Sequence, residues 1–172
     1  MDCKKALQAV DGDLEKAIDQ LRKSGIAKAQ KKVGRSTKEG AITHYIHPGS
    51  KLGVLVEINC ETDFVARTEG FTTFSRDIAM HIAAAAPLVV TRKEIDPDLI
   101  DRERGVLIDQ ARQSGKPENI INKMVEGRLE KFYAENVLLE QAFVKDPDKT
   151  VKSLLTESIA TLGENISISR FS

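Results

Sequence analysis

The side chains best equipped for chemistry gather near residue 60: Cys60, Glu61 and Asp63 fall within four positions, with Phe64 directly behind them. Two carboxylates beside a thiol could hold a magnesium ion, serve as an acid/base pair, or form the polar turn that ends a strand. Cys60 could act as a nucleophile in a hydrolase with a histidine partner, but on the apolar face of a strand it reads as a small core residue. His44 and His47 stand three apart, a spacing that in a strand sends the rings to opposite faces, and no third ligand accompanies them. The chain carries no phosphate-binding loop, nucleophile elbow or metal-spaced Cys/His cluster. The expectation is a protein that is not an enzyme and needs no metal or cofactor.

These residues depend on elements that must place them. Ala41 to His47 alternates as a strand, His47-Pro48-Gly49-Ser50 reads as a turn, and Leu52 to Cys60 alternates again; together they predict a hairpin. Leu52, Val54, Val56, Ile58 and Cys60 share one face, and Leu55, Glu57 and Asn59 the other. The alternation stops at Cys60, leaving Phe64 and Val65 in a connection. Three fates are open to an aromatic there: folding into its own core, seeding an exposed patch, or anchoring in a partner's pocket. Asp63 would add a directional polar group beside it.

After Glu69-Gly70, the stripe Phe71, Phe74, Ile78, Ile82 and Ala85 predicts a helix lying on the sheet, ended by Pro87 and followed by a short extended piece, Leu88-Val89-Val90. Asp96-Pro97-Asp98 opens a helix to about Ser114, stopped by Gly115. Pro117-Glu118 opens a longer one lined by Ile120, Ile121, Met124, Val125, Leu129, Phe132 and Tyr133. A polar loop from Lys145 to Lys149 leads to a last helix ended by Gly163. Ile166, Ile168 and Arg170 then alternate with Ser167, Ser169 and Phe171 as a closing strand. Upstream, Ala6, Leu7 and Val10 form a patch, Asp11-Gly12-Asp13 turns, and Asp13 caps a second helix (Leu14, Ala17, Ile18, Leu21) that stops at Ser24-Gly25. Two helices this short are not stable alone. The predicted organisation is a partial helical domain over 1–25, a basic linker over 26–40, partly helical around Ala27-Lys28-Ala29, and an α+β core with a mostly antiparallel sheet over 41–172.

Of the 172 residues, 41% are hydrophobic and 30% charged, which fits a soluble globular chain. No apolar run reaches the roughly 20 residues of a membrane helix, and Met1-Asp2-Cys3-Lys4-Lys5 lacks the apolar core of a signal peptide. Two cysteines make no disulfide framework, so a reducing compartment is expected. Lys and Arg number 26 and Asp and Glu 26, but this zero is the sum of +4 over residues 1–40 and −4 over the rest. Arg22 to Lys38 holds seven basic residues and no acid. Such a run is either a solvated linker or a contact for phosphates or an acidic surface. It supports an alternative reading, an RNA- or ribosome-binding protein using segment 22–38.

A set of short motifs carries a resemblance over essentially the whole chain. Met1-Asp2-Cys3-Lys4-Lys5-Ala6-Leu7, Gly12-Asp13-Leu14-Glu15-Lys16-Ala17, Gly53-Val54-Leu55-Val56-Glu57, Thr62-Asp63-Phe64-Val65-Ala66-Arg67, Met80-His81-Ile82-Ala83, Ser114-Gly115-Lys116-Pro117, Met124-Val125-Glu126-Gly127-Arg128, Leu138 to Asp146 and Gly163-Glu164-Asn165-Ile166 occur in order. Together they resemble translation elongation factor Ts in its short form, with a single core module. The family carries about one helix more before Met1 and a few residues more after Phe171.

The resemblance implies guanine nucleotide exchange on the GTPase elongation factor Tu, without catalysis of a bond and without a cofactor. Residues 1–24 are similar to the last two helices of a three-helix, ubiquitin-associated-like domain that docks on the GTPase, and Met1 and Asp2 open that piece. Thr62, Asp63, Phe64 and Val65 match the motif whose Phe inserts beside the nucleotide site. Met80 and His81 match a helix segment that approaches the phosphate-binding side. With one core module instead of two, a homodimer is implied, presenting Phe64 of one subunit alongside His81 of the other. Direct nucleic-acid or membrane contact is not expected. The location implied is the bacterial cytoplasm, or a plastid or mitochondrion in a eukaryote.

Overall fold

The computed structural model describes residues 2–113 and 117–172; the expected helix end at Ser114 and the stop at Gly115 lie outside the described residues. In chain order the elements are α1 (Asp2–Ala9), α2 (Leu14–Gln30), β1 (Glu39–Ile46), β2 (Gly53–Cys60), α3 (Asp63–Ala66), α4 (Glu69–Ala85), α5 (Pro97–Arg112), α6 (Glu118–Asn136), β3 (Ala142–Phe143), β4 (Asp146–Thr150), α7 (Val151–Leu162) and β5 (Ile166–Phe171). Single 3-10 turns occupy Arg92–Glu94 and Leu138–Glu140. The class is α+β. The chain divides into two compact units, one built from Met1–His44, Leu55–Asp77 and Ser153–Ser172, the other from Tyr45–Val54 and Ile78–Lys152.

In the first unit, the strand order of the sheet is β1-β2-β5, with β5 antiparallel to β2. The period-2 pattern of β2 sends Val56, Ile58 and Cys60 inward, all fully buried. They meet Ile166 and Ile168 of β5 on the same face, in a core that also buries Phe71 and Phe74 of α4 and Ile159 of α7. The expected alternation of the closing strand is corrected near its end. A register shift between Glu57 and Ile58 leaves Ser169 as an extra residue, so Arg170 pairs with Glu57 and Phe171 with Val56. The bulge turns Arg170 away from the apolar face and onto the Glu57 carboxylate at 2.7 Å.

Helix α2 is longer than expected. It does not stop at Ser24-Gly25 but runs to Gln30, with the Asp13 carboxylate accepting from Lys16 N at its start. A glycine inside a helix costs about 1 kcal/mol, yet Gly25 does not end this one; it faces α7, where a Cβ on it would lie 3.7 Å from Ala160 Cβ, an ordinary van der Waals contact. Ala29, one turn on, is buried. The segment that follows is tied to the start of β5, by Asn165 Nδ2, just before the strand, donating to Arg35 O at 2.7 Å and by Thr37 Oγ1 and Ser167 Oγ at 3.0 Å.

In the second unit, Ile78, Ala79 and Ile82 of α4 are buried. α5, capped by Asp96 and opened by Pro97, pairs with α6 around Leu107, Ala111, Ile121, Val125 and Leu129. The expected Leu88-Val89-Val90 segment forms one parallel bridge, Val89 to Val137. The expected polar loop from Lys145 to Lys149 is corrected: Asp146–Thr150 is a strand, antiparallel to Ala142–Phe143. The hairpin is short and edge-exposed, and its composition of Asp, Pro and Lys hides it from propensity.

Candidate partner-binding site

Thr62, Asp63, Phe64 and Val65 do not lie in an irregular connection. They form the start of α3, a single helical turn capped by Thr62, whose Oγ1 accepts from Val65 N at 3.4 Å. Asp63 lies at the helix start, where the backbone dipole favours a negative charge, and its Oδ2 takes Arg67 Nη2 at 2.8 Å. Thr68 closes the turn, its hydroxyl donating to Val65 O at 2.8 Å while accepting from Phe71 N at 3.2 Å. Of the fates open to Phe64, the structure takes the exposed one: 78% of the residue faces solvent. Val65, the next residue, is half-buried.

The register of β2 and β5 explains what surrounds this turn. Cys60 stands opposite Ile166, so the next residues outward, Glu61 and Thr62, meet Asn165 and Glu164. Glu164 Oε2 accepts from Glu61 N at 3.1 Å and Thr62 N at 2.9 Å, and its Oε1 takes the Thr62 hydroxyl at 2.6 Å. In return Glu61 Oε1 accepts from Asn165 N at 2.6 Å, with Arg35 Nη1 3.6 Å away. Gly163 aims this corner: it leaves α7 at φ +83°, a left-handed conformation that glycine adopts at no steric cost. In the sequence, Glu164 and Asn165 stand only within the Gly163-Glu164-Asn165-Ile166 motif, which assigns them no role.

The chemistry considered for Cys60 is not supported. The thiol is buried and donates to Thr62 O at 3.1 Å. Burial, and then the negative charge of Glu164, push its pKa up, which keeps the thiol protonated and unreactive. Glu61 and Asp63 are both occupied, one by a backbone amide and one by Arg67. Among the described residues no group of three or more His, Cys, Asp or Glu side chains is arranged to hold a metal ion.

Met80 and His81 belong to the second unit. Met80 is partly exposed, but His81 is completely buried. Its Nδ1 accepts from Val144 N at 3.3 Å and its Nε2 pairs with Gln141 Oε1 at 3.0 Å. An amide N–H on one nitrogen and a carbonyl oxygen on the other define a neutral ring with the proton on Nε2. Burial lowers the imidazole pKa, and the Gln141 bond opposes the shift only in part. Gln141 spends its own amide group on Ala85 O (3.2 Å) and Glu135 O (2.7 Å), so His81 sits in a closed network joining α4, the end of α6 and β3. Of the two residues at the start of the chain, Asp2 opens α1, and Met1 lies outside the described residues.

Comparison with known proteins agrees with the resemblance. The family model for elongation factor TS matches residues 4–158. Elongation factor Ts of Geotalea daltonii is 60% identical over 171 residues, covering 99% of this chain and 79% of that protein. The Geobacter sulfurreducens and Carboxydothermus hydrogenoformans proteins of the same name are each 59% identical with the same coverage. A match to most of the chain by the family model, and identity near 60% across nearly its full length, place it firmly: the chain belongs to the elongation factor Ts family of translation elongation factors.

Proposed function

We propose that this chain is a guanine nucleotide exchange factor that binds the GTPase elongation factor Tu and speeds GDP release, with Phe64 as the inserted wedge. The observation that carries the reading is the exposure of Phe64 on a turn capped by Thr62. An aromatic side chain held out in water gains by burial in a partner's pocket. A GTPase holds GDP through Mg²⁺ and backbone amides around the phosphates. A wedge that displaces those groups weakens the nucleotide, and by reciprocity bound GDP weakens the grip of the wedge. A thousandfold loss of affinity corresponds to about 4 kcal/mol of coupling, within reach of one buried aromatic and its neighbours. No bond is made or broken, so the chain acts without catalytic residues or cofactor.

In this reading Asp63 and Thr62 hold the wedge, Val65 seats it, and Met80 makes a second contact that His81 supports from inside. Residues 1–25, with Met1 and Asp2 at their head, dock as a partial ubiquitin-associated-like piece, 26–40, helical as far as Gln30, link it on, and 41–172 form the core. The working form is a homodimer in the bacterial cytoplasm. Ile42 and Leu55, exposed at 67% and 54% on the sheet face opposite Val56 and Ile58, support a covering second copy. The test is release of a fluorescent GDP analogue (mant-GDP) from elongation factor Tu: addition of this chain accelerates it, and an unchanged rate overturns the reading. Sedimentation of the chain alone decides between monomer and dimer.

A further inference from the structure

The wedge poses a mechanical question. Phe64 is so exposed that packing cannot orient it, so its direction is inherited from the backbone of α3. A single turn is unstable alone, because it fixes several dihedrals for very few internal hydrogen bonds. Its own cap is weak, at 3.4 Å. What holds the turn comes from 102 residues away in sequence: the Glu164 carboxylate, which takes Thr62 N, Glu61 N and the Thr62 hydroxyl together. Hydrogen bonds to an ionised carboxylate are short and strong, and the 2.6 Å bond has a directional consequence. With its proton committed to Glu164, the Thr62 oxygen can offer only lone pairs to Val65 N, which is the polarity a helix cap requires.

We infer that Glu164 is a positioning residue for nucleotide exchange: it sets the Thr62 cap and thereby the direction in which Phe64 meets the GTPase. The inference rests on the exchange reading above. It separates from that reading because the clamp exists without the partner.

Two arms test it on the full chain. In Glu164→Gln, which keeps the size of the side chain, amide hydrogen exchange at Val65, Ala66, Arg67 and Thr68 speeds up about tenfold, while Val56 to Ile58 and Ile166 to Ile168 stay unchanged. Unchanged exchange in α3 overturns the clamp. In mant-GDP release from elongation factor Tu, Glu164→Gln lowers the maximal stimulated rate about fivefold or more, yet has no further effect in a Phe64→Ala background. Additive losses, accompanied by a lowered Tm, identify a merely structural Glu164 and overturn the proposal. If Phe64→Ala alone leaves release unchanged, the exchange reading falls, and the amide arm still decides whether Glu164 holds the turn. Thr62→Ser, which keeps the hydroxyl, retains the rate; loss there to the level of Glu164→Gln contradicts the proposed role of the hydroxyl.

Discussion

Glu164 and Thr62 are joined by two hydrogen bonds, backbone amide to Oε2 at 2.9 Å and hydroxyl to Oε1 at 2.6 Å. The first residues after β2 are thereby fixed to the last before β5. The pair ties the capped turn to the most regular part of the sheet. On the proposed exchange reading, a wedge that displaces a tightly held ligand must not yield when pressed, and this pairing would supply the resistance.

Thr62→Ala removes the cap and one partner of Glu164. Loss of an N-cap costs about 1 kcal/mol, so Tm falls by about 2–4 °C in a chain of this size. A differential scanning calorimetry trace that does not move contradicts the cap's contribution.

Gly40 crosses β2 at φ +151°, and a Cβ there would overlap Ile58 O and lie 2.7 Å from Asn59 Cα. Neither backbone can retreat without parting the strands. Gly40→Ala therefore costs about 3 kcal/mol or prevents folding. Gly105, in the exposed middle of α5 with nothing within 4 Å, behaves oppositely: Gly105→Ala gains about 0.5–1 kcal/mol. Urea unfolding of both variants checks the contrast, and equal effects would contradict it.

His81 makes stability depend on pH. Its folded pKa lies below the ordinary value of 6.5, so the unfolded chain takes up a proton first as the pH falls. Its contribution is complete above about pH 6.5 and is lost as the pH falls through the folded value, with a slope of up to about 1.4 kcal/mol per pH unit. Protonation would also set an Nδ1–H against Val144 N–H. Urea unfolding from pH 8 to pH 5 should show this component in the native chain and lack it in His81→Gln. Parallel curves for the two proteins would remove His81 from the account.

The two thiols should differ sharply. Cys3 is exposed and Cys60 buried, with Cys60 held protonated by burial and by the Glu164 charge. A disulfide reagent at pH 8 should titrate about one thiol per folded chain and the second only in denaturant. Rapid reaction of both would show that the β2 end opens.

Much of the fold was legible because its signals are local. The alternation of Val54, Val56, Ile58 and Cys60, the Phe71 to Ile82 stripe, the Asp96-Pro97 start and the Gly163 stop each depend on a few neighbouring residues. The misreadings share a cause. Gly25 reads locally as a helix stop, but α2 continues to Gln30 and the residue packed beside it, Ala160 of α7, is far away in sequence. The Ser169 bulge and the Asp146–Thr150 strand are likewise properties of pairing partners rather than of composition. The site divided the same way. Phe64 could be singled out by where the β2 pattern ends, but its support could not: Glu164 and Asn165 matter through the register of Cys60 with Ile166, a long-range fact. His81 matched a motif, and only its burial and its bonds to Gln141 and Val144 give it an internal task.

The most direct test of the central claim is the rate of mant-GDP release from elongation factor Tu in the presence of Phe64→Ala compared with the native chain. Phe64 is 78% exposed and supports no core, so the variant should fold with an unchanged Tm and slow the stimulated release about tenfold or more. A well-folded Phe64→Ala that stimulates GDP release as strongly as the native chain would contradict the account.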